Sequence, residues 1–573
     1  MPSHPHRLAC LCFFLAGLSN AAAEPLDKLK VGRQTDGSVV VPTNQVITPA
    51  GTHVEFPGRP VDLLVADSGK AVVVKNMRDL TVLDLPSGKV RQVLPLGAPG
   101  RPSGGFSAVG LAAIGDKVFA TDTASGIRIA KWTAESKLAW ENEPLQLKAP
   151  EATGGRRSAG AAYPTGLATT PEGKLWVCSN RGNEAQLLDP ATGKAEAILP
   201  VGVAPYMPLV VGSKVYVSNW GGDRPVAKAP FTTSGTPVKV DPVTTVANSG
   251  SVSVIAKSGD AWKVEKSIPV GLHPCGMASA PGGKFLYVAN ANSDTVSVID
   301  TSTDSVVETI VAKPESRLPF GSGSNAVAVS PDGTTLFVAN GTNNCVAVVL
   351  LGNRSGGEHG PIANRPSFII GLIPTGWYPG AITLPPGGKH LIIANVKGVG
   401  SLATKRDPDK GRNSHDHMGS VSIIPVPDAE QLKTFTTRVA ANNRLARSLA
   451  GLEKPRPGIA AKPLPERHGE PSPIEHVIYV IKENRTYDQV FGDMKEGNGD
   501  PKLCIFGEEV TPNHHKLARE FVLLDNFYCS GILSADGHQW VAEAYVTDYL
   551  EKQFGGFTRS YPYEGDDPLA YAA

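Results

Sequence analysis

The chain predicts two architectures in tandem: an all-β propeller over residues 37–427, then the N-terminal part of an α/β domain over 474–573. Three observations carry this. A turn–strand–Asn signature recurs seven times in the first two-thirds of the 573 residues. A charged, Pro-rich stretch, 451–473, then breaks the pattern. Beyond it a continuous apolar run, Val477 to Ile481, stops on Glu483-Asn484-Arg485.

The chain opens on a weakly basic start (His4, His6, Arg7), an apolar run from Leu8 to Leu18, and Ala21-Ala22-Ala23 before Glu24. This is the pattern of a secretory signal with a small-residue cleavage site, so residues 1–23 are expected to be removed. The run is shorter than the roughly 20 residues a membrane span needs, and no other segment qualifies. The mature chain is therefore expected in the periplasm or outside the cell, without a transmembrane segment. Lys+Arg 55 against Asp+Glu 54 leaves a formal charge of +1, which gives no basis for nucleic-acid binding. After the signal five cysteines remain, an odd number: Cys178, Cys275, Cys345, Cys504 and Cys529. Cys504 and Cys529 fall in one C-terminal segment and are candidates for a disulfide in an oxidising compartment. The absence of C-x-x-C spacing argues against a thiolate zinc site.

The repeat is clearest in "PGGKFLYVANANSDTVSVIDTSTDSVVETI" (281–310): a Gly turn, a strand ending at Asn290, a strand from Thr295 to Ile299, and a third from Val306 to Ile310. The signature returns in "PDGTTLFVAN" (331–340), "PPGGKHLIIAN" (385–395), "PEGKLWVCSN" (171–180) and "GSKVYVSN" (212–219), and more weakly in "SGKAVVVKN" (68–76) and "GDKVFATD" (115–122). The spacing, roughly 40–70 residues, suits a propeller blade with loop insertions. Three or four short strands cannot cover both of their faces alone; stacking them radially does so. Seven blades are expected, six or eight being the alternatives, with strand signal in 37–56 completing the last blade. The recurring Asn reads as a turn residue bonded to nearby backbone. Trp220 and Trp377 either pack between blades or line one mouth of the ring. In "NSHDHMG" (414–420), His415 and His417 either converge on a metal or sit on a polar loop tip beside Asp416. These repeats resemble the YVTN family of β-propeller repeats, whose members serve as binding or scaffold modules.

Residues 428–450 carry Leu432, Phe435, Val439, Leu445 and Leu449 at helical spacing. The Pro-rich 451–473 reads as an extended linker, making 428–473 a helix and a joint. The run Val477–Ile481 then reads as a strand covered on both faces. In open α/β sheets ligands bind beyond the carboxyl ends of such strands. Glu483 and Asn484 supply hard oxygen donors suited to a divalent ion, the plainer alternative being a solvated strand end.

The string "IEHVIYVIKENRTYDQVFGD" (474–493) resembles the N-terminal signature of the phosphoesterase family that includes bacterial phospholipases C and acid phosphatases, with an alkaline-phosphatase-like fold. The resemblance implies that Glu483 and Asn484 are metal ligands. A second block, "LAREFVLLDNFYCSGILSADGHQWVAEAYVTDYLEK" (517–552), is similar to the stretch that supplies a Ser or Thr nucleophile at a helix start. Ser534 is the best positional match and Ser530 the second; a plain N-cap is the alternative reading of Ser534. A helix is expected to end near Glu520, a strand to cover Phe521–Leu524, and another helix to begin near Val541. His538 is placed to bind phosphate or protonate the leaving group. The family's remaining acidic ligands lie far downstream, which marks 474–573 as an incomplete domain, either a fragment or an inactive abbreviation. The reading is an exported phosphoric ester hydrolase with a divalent metal ion of unspecified identity and a phosphoester substrate. The alternative is a periplasmic or surface propeller module with an inactive second domain; a propeller that is itself the catalyst lacks a cofactor-attachment pattern.

Overall fold

The computed structural model describes residues 29–97, 105–141, 143–148, 150, 161–352, 365–401, 417–525, 527–532, 534–552 and 570–571. They form two compact units, one from 45–484 with 529–573 and one from 1–44 with 485–528.

The larger unit is a β-propeller. Its first sheet runs through Asp62–Ala66, Ala71–Lys75, Asp79–Asp84 and Val90–Pro95, each strand antiparallel to the next. Six further sheets repeat this order, with innermost strands Phe106–Ile114, Pro164–Thr169, Pro205–Val211, Pro274–Ser279, Ser324–Val329 and Trp377–Thr383. Each innermost strand packs on the next, and Trp377–Thr383 packs back on Asp62–Ala66, so the ring is closed. The seventh sheet takes its outer strand from the other end of the unit: Thr52–Pro57 pairs with Met418–Pro425. Between neighbouring sheets the cores are apolar, as where Tyr287, Val296 and Val298 meet Val338, Ala347 and Val349. Among the described residues no helix is long and apolar enough to cross a membrane.

The repeat-ending asparagines have a role that the repeat pattern only partly conveyed. Asn180, Asn219, Asn290, Asn340 and Asn395 are fully buried. Asn290 Nδ2 donates to Thr295 Oγ1 (3.1 Å) and Ser297 Oγ (3.0 Å). Asn395 Nδ2 donates to Ser420 Oγ (3.1 Å) and Ser422 Oγ (3.0 Å), and Asn219 Nδ2 reaches Ser251 and Ser253. These partners are hydroxyls on the adjoining strand rather than only nearby backbone. A glycine presses on each amide. A Cβ on Gly202, Gly271 or Gly376 would come within 2.6–2.7 Å of Asn219, Asn290 or Asn395. These glycines belong to "PVGVAP" (200–205), "PVGLHP" (269–274) and "PTGWYP" (374–379), a second recurring motif that leads into the innermost strands.

Helix α1 (Ala429–Asn442) opens on a capping box between Asp428 and Gln431, and α2 (Leu445–Gly451) follows. Leu432 of α1 fills the space above Gly371, and Thr436 Oγ1 accepts from Leu372 N at 2.9 Å, so the helix expected at 428–450 lies against the sixth sheet. Residues 477–481 depart from expectation. They form no strand, and Val477, Ile478 and Val480 are 85%, 89% and 75% exposed. An apolar β-branched run becomes a strand only beside a neighbour that takes up its N–H and C=O groups; no described strand lies alongside. Helix α5 (Ser534–Glu543) and α6 (Asp548–Lys552) are this unit's other α-helices among the described residues, α5 beginning at Ser534 rather than near Val541.

In the smaller unit Gly32–Arg33 pairs with Val39–Val40. Helix α3 (Tyr487–Phe491) follows Thr486, and α4 (Pro512–Glu520) ends where a helix end was expected. Buried His515 holds Asp493 Oδ1 at 2.9 Å, and Phe491 lies against its ring. The strand expected at Phe521–Leu524 is absent, and Phe521 and Val522 are exposed for the same want of a partner. Cys504 belongs to this unit and Cys529 to the other; both are free thiols, so the disulfide is not formed.

Replacing Asn290 or Asn395 with alanine strands two hydroxyls inside a blade and is expected to cost about 1–3 kcal/mol. Denaturant unfolding of each variant measures this; a loss under about 0.5 kcal/mol would be that of an ordinary surface change and would remove the asparagines' structural role.

Candidate functional site

The turns before four of the innermost strands set up one mouth of the channel. Tyr163, Ala204, His273 and Tyr378 stand before Pro164, Pro205, Pro274 and Pro379, with φ of 49°, 54°, 53° and 60°. Left-handed backbone at non-glycine residues costs on the order of 1–3 kcal/mol each and collects where the surroundings enforce it, often at functional sites. Here it turns the chain sharply into the channel and brings Tyr206, His273, Cys275, Asn325 and Tyr378 near one another around α6.

Charged groups from distant parts of the sequence fill this mouth. Asp548, Glu551 and Lys552 on α6, with Asp536, Arg59 and Lys397, are each at most 4% exposed. Three carboxylates thus face three cations. Lys397 Nζ lies 2.7 Å from Glu551 Oε1, donates to Ser530 O at 3.2 Å, and stands 4.8 Å over the Trp377 ring. Arg59 donates to the Glu551 carbonyl. Asp548 accepts from Tyr378 OH at 2.8 Å and pairs with Lys552 at 3.1 Å. Lys552 Nζ also donates to Tyr206 OH (3.2 Å) and Asn325 Oδ1 (3.3 Å). Burial pushes the Glu551 carboxyl above the ordinary carboxylate range, against the pull of Lys397, and lowers Arg59 to about 10. Trp220 stacks on Tyr206 and His273 and meets Tyr549 edge-on, so both tryptophans flank the mouth. His417 is buried, and burial with the charges of Arg59 and Lys397 lowers it to about 3, making it a neutral ring. His415 and Asp416 lie outside the described residues.

The channel also holds a cavity of about 420 Å³ lined by all seven innermost strands, including Leu63, Leu111, Leu167, Leu209, Val329 and Leu384, with Tyr206 and Asn325 shared between it and Lys552 of α6. Asp62 is its acidic group, accepting from Gly110 N (2.7 Å) and Leu111 N (3.0 Å); burial raises its carboxyl.

The residues singled out in the sequence fall beside this network. Glu483 Oε1 is 3.4 Å from His538 Nε2, with the Glu483 side chain 40% exposed. Ser534 is exposed at the first position of α5, four residues before His538 and so on the same helix face. Asn484 follows Glu483 directly. Ser530 holds Lys397 through its carbonyl. A carboxylate, an amide and an imidazole are donors that a divalent ion accepts, with water or substrate oxygens completing the shell. Missed in the sequence were Arg59, Lys397, Asp548, Glu551 and Lys552, whose burial no local pattern announces. The Gly-x-x-Pro repeat was the available signal for the mouth.

No family model matches the sequence, and no curated protein matches it. Solved structures of similar fold include the Kuenenia stuttgartiensis hydrazine synthase, 15% identical over 66% of this chain and 98% of that one, at a TM-score of 0.44. A catalytically inactive virginiamycin B lyase from Staphylococcus aureus with quinupristin is 13% identical over 65% and 99%, at 0.40. A putative 6-phosphogluconolactonase from Bacteroides fragilis is 14% identical over 56% and 86%, at 0.39. Similarity at this level says nothing of chemistry, and the propeller assignment rests on the sheet topology and ring closure.

Removing one partner of the Lys397–Glu551 pair leaves a buried charge alone. Lys397→Met is expected to cost about 3–5 kcal/mol, and adding Glu551→Leu to restore most of it. A double-mutant cycle by urea unfolding reads this directly; additive losses would mean that the two side chains do not meet.

Proposed function

We propose that the chain is an exported, metal-dependent phosphoesterase carried on a seven-bladed propeller. The observation that supports this is the approach of Glu483 to His538, which joins two sequence motifs some fifty residues apart around the exposed start of α5. Glu483 and Asn484 are the donors for a divalent ion, which supplies charge neutralisation at phosphate and a lowered hydroxyl pKa. The Ser534 oxygen, at a helix N-terminus that favours anionic oxygens, forms the new bond to phosphorus as its own proton passes to solvent water. The bond to the ester oxygen breaks, and His538 gives that oxygen its proton. Water then releases phosphate from the serine. Export is supported by the signal pattern of residues 1–23. A second reading, a propeller binding module with an inactive second segment, is favoured by the channel cavity of about 420 Å³, lined by both polar and apolar side chains.

The test is hydrolysis of p-nitrophenyl phosphate and bis(p-nitrophenyl) phosphate by residues 24–573 with added Mg²⁺, Mn²⁺, Ca²⁺ or Zn²⁺ and with chelator. Metal-dependent turnover is expected, abolished by Ser534→Ala and reduced on the order of 10²–10⁴-fold by His538→Ala. A folded protein without turnover on either ester in any metal would leave the binding-module reading.

A further inference from the structure

The mouth of the channel contains a donor set that the phosphoesterase reading does not use. A ring nitrogen of His273, the Cys275 sulfur and an oxygen of Asp548 all lie within 4.8 Å of one another. Cys275 Sγ is 3.4 Å from Asp548 Oδ2. His273 Nε2 is buried and has no hydrogen-bond partner, a state that costs free energy unless something binds there. We propose that His273, Cys275 and Asp548 form a zinc-class metal site that fastens α6 to the fifth sheet.

The surroundings suit that role. Trp220 stacks on the His273 ring at 4.9 Å and 12°, fixing the plane of the imidazole. Tyr378 OH donates to Asp548 Oδ1 at 2.8 Å, which orients the carboxylate and leaves Oδ2 toward the sulfur. Outer partners of this kind hold metal ligands in place. Burial lowers His273 to about 4, so its nitrogen carries a free lone pair at neutral pH. The Cys275 thiol, raised by burial, gives up its proton when the ion binds. One nitrogen, one sulfur and one oxygen are a borderline set, matched to Zn²⁺ rather than to Mg²⁺ or Ca²⁺, and three protein donors leave a fourth position for water or a ligand. Lys552 Nζ, 3.1 Å from Asp548 Oδ2, competes for the same oxygen and weakens the site. No local pattern announces this set: His273 and Cys275 are two apart across a proline, and Asp548 lies in another part of the chain.

The probe is Co²⁺ titrated into the metal-free 24–573 chain, read by thiolate-to-cobalt charge-transfer absorption, with Zn²⁺ competition and metal analysis for stoichiometry. Background thiols are removed with Cys504→Ser and Cys529→Ser. A charge-transfer band corresponding to one sulfur-bound Co²⁺ per chain is expected, displaced by Zn²⁺ and lost in Cys275→Ser. Asp548→Asn and His273→Gln are expected to weaken binding at least tenfold, and Lys552→Met to tighten it. Glu483→Ala is expected to retain the band, separating this site from the phosphoesterase one. Cooperative thermal unfolding of each variant shows that it is folded. A folded parent chain without the band, or a band that survives Cys275→Ser, overturns the proposal.

Discussion

The antiparallel ladder between Thr52–Pro57 and Met418–Pro425 closes the ring, and every feature of the channel depends on it. Without it the last sheet would have three strands, since its fourth, outermost strand comes from the other end of the unit. By joining strands more than three hundred residues apart, the ladder holds the first and seventh innermost strands together. Loop-closure entropy for so long a separation grows only slowly with length, so one good ladder is sufficient to offset it.

Closure also fixes what the mouth contains. Four strand starts bent by left-handed residues before proline converge on the channel, and their side chains leave a polar hollow in an otherwise apolar unit. Buried charge there is tolerable only when balanced and hydrogen-bonded. Helix α6 supplies Asp548, Glu551 and Lys552 to Lys397, Arg59, Tyr206, Tyr378 and Asn325, so that the helix and the mouth complete each other. The neighbouring start of α5 stays exposed, which leaves Ser534 accessible while His538 and Glu483 are held near the same surface.

The propeller was legible because its information is local and repeated. Each Gly turn, apolar strand and Asn is specified within about ten residues, and the asparagine's hydroxyl partners lie on the next strand. The start of α5 was legible less well: small residues in "SADGH" conceal a helix whose first turn carries the proposed nucleophile. The run Val477–Ile481 has the composition of a central strand, but strand formation is a property of pairs, and composition cannot supply the neighbour. The charge network was not legible at all. Arg59, Lys397, Asp536 and Glu551 look like surface residues in sequence, and only the closed ring brings them out of water.

The seating of α6 in the mouth of the propeller links the fold to both proposed sites, and hydrogen exchange of the 24–573 chain tests it most directly. Amides of Leu550 and Glu551, bonded to Thr547 O at 3.1 and 3.2 Å, are predicted to exchange as slowly as those of the innermost strand Pro205–Val211. Residues 477–481 give the fast, unprotected reference within the same molecule. Exchange of α6 at the rate of 477–481 would contradict the account, since a helix of five residues has no protection of its own away from that mouth.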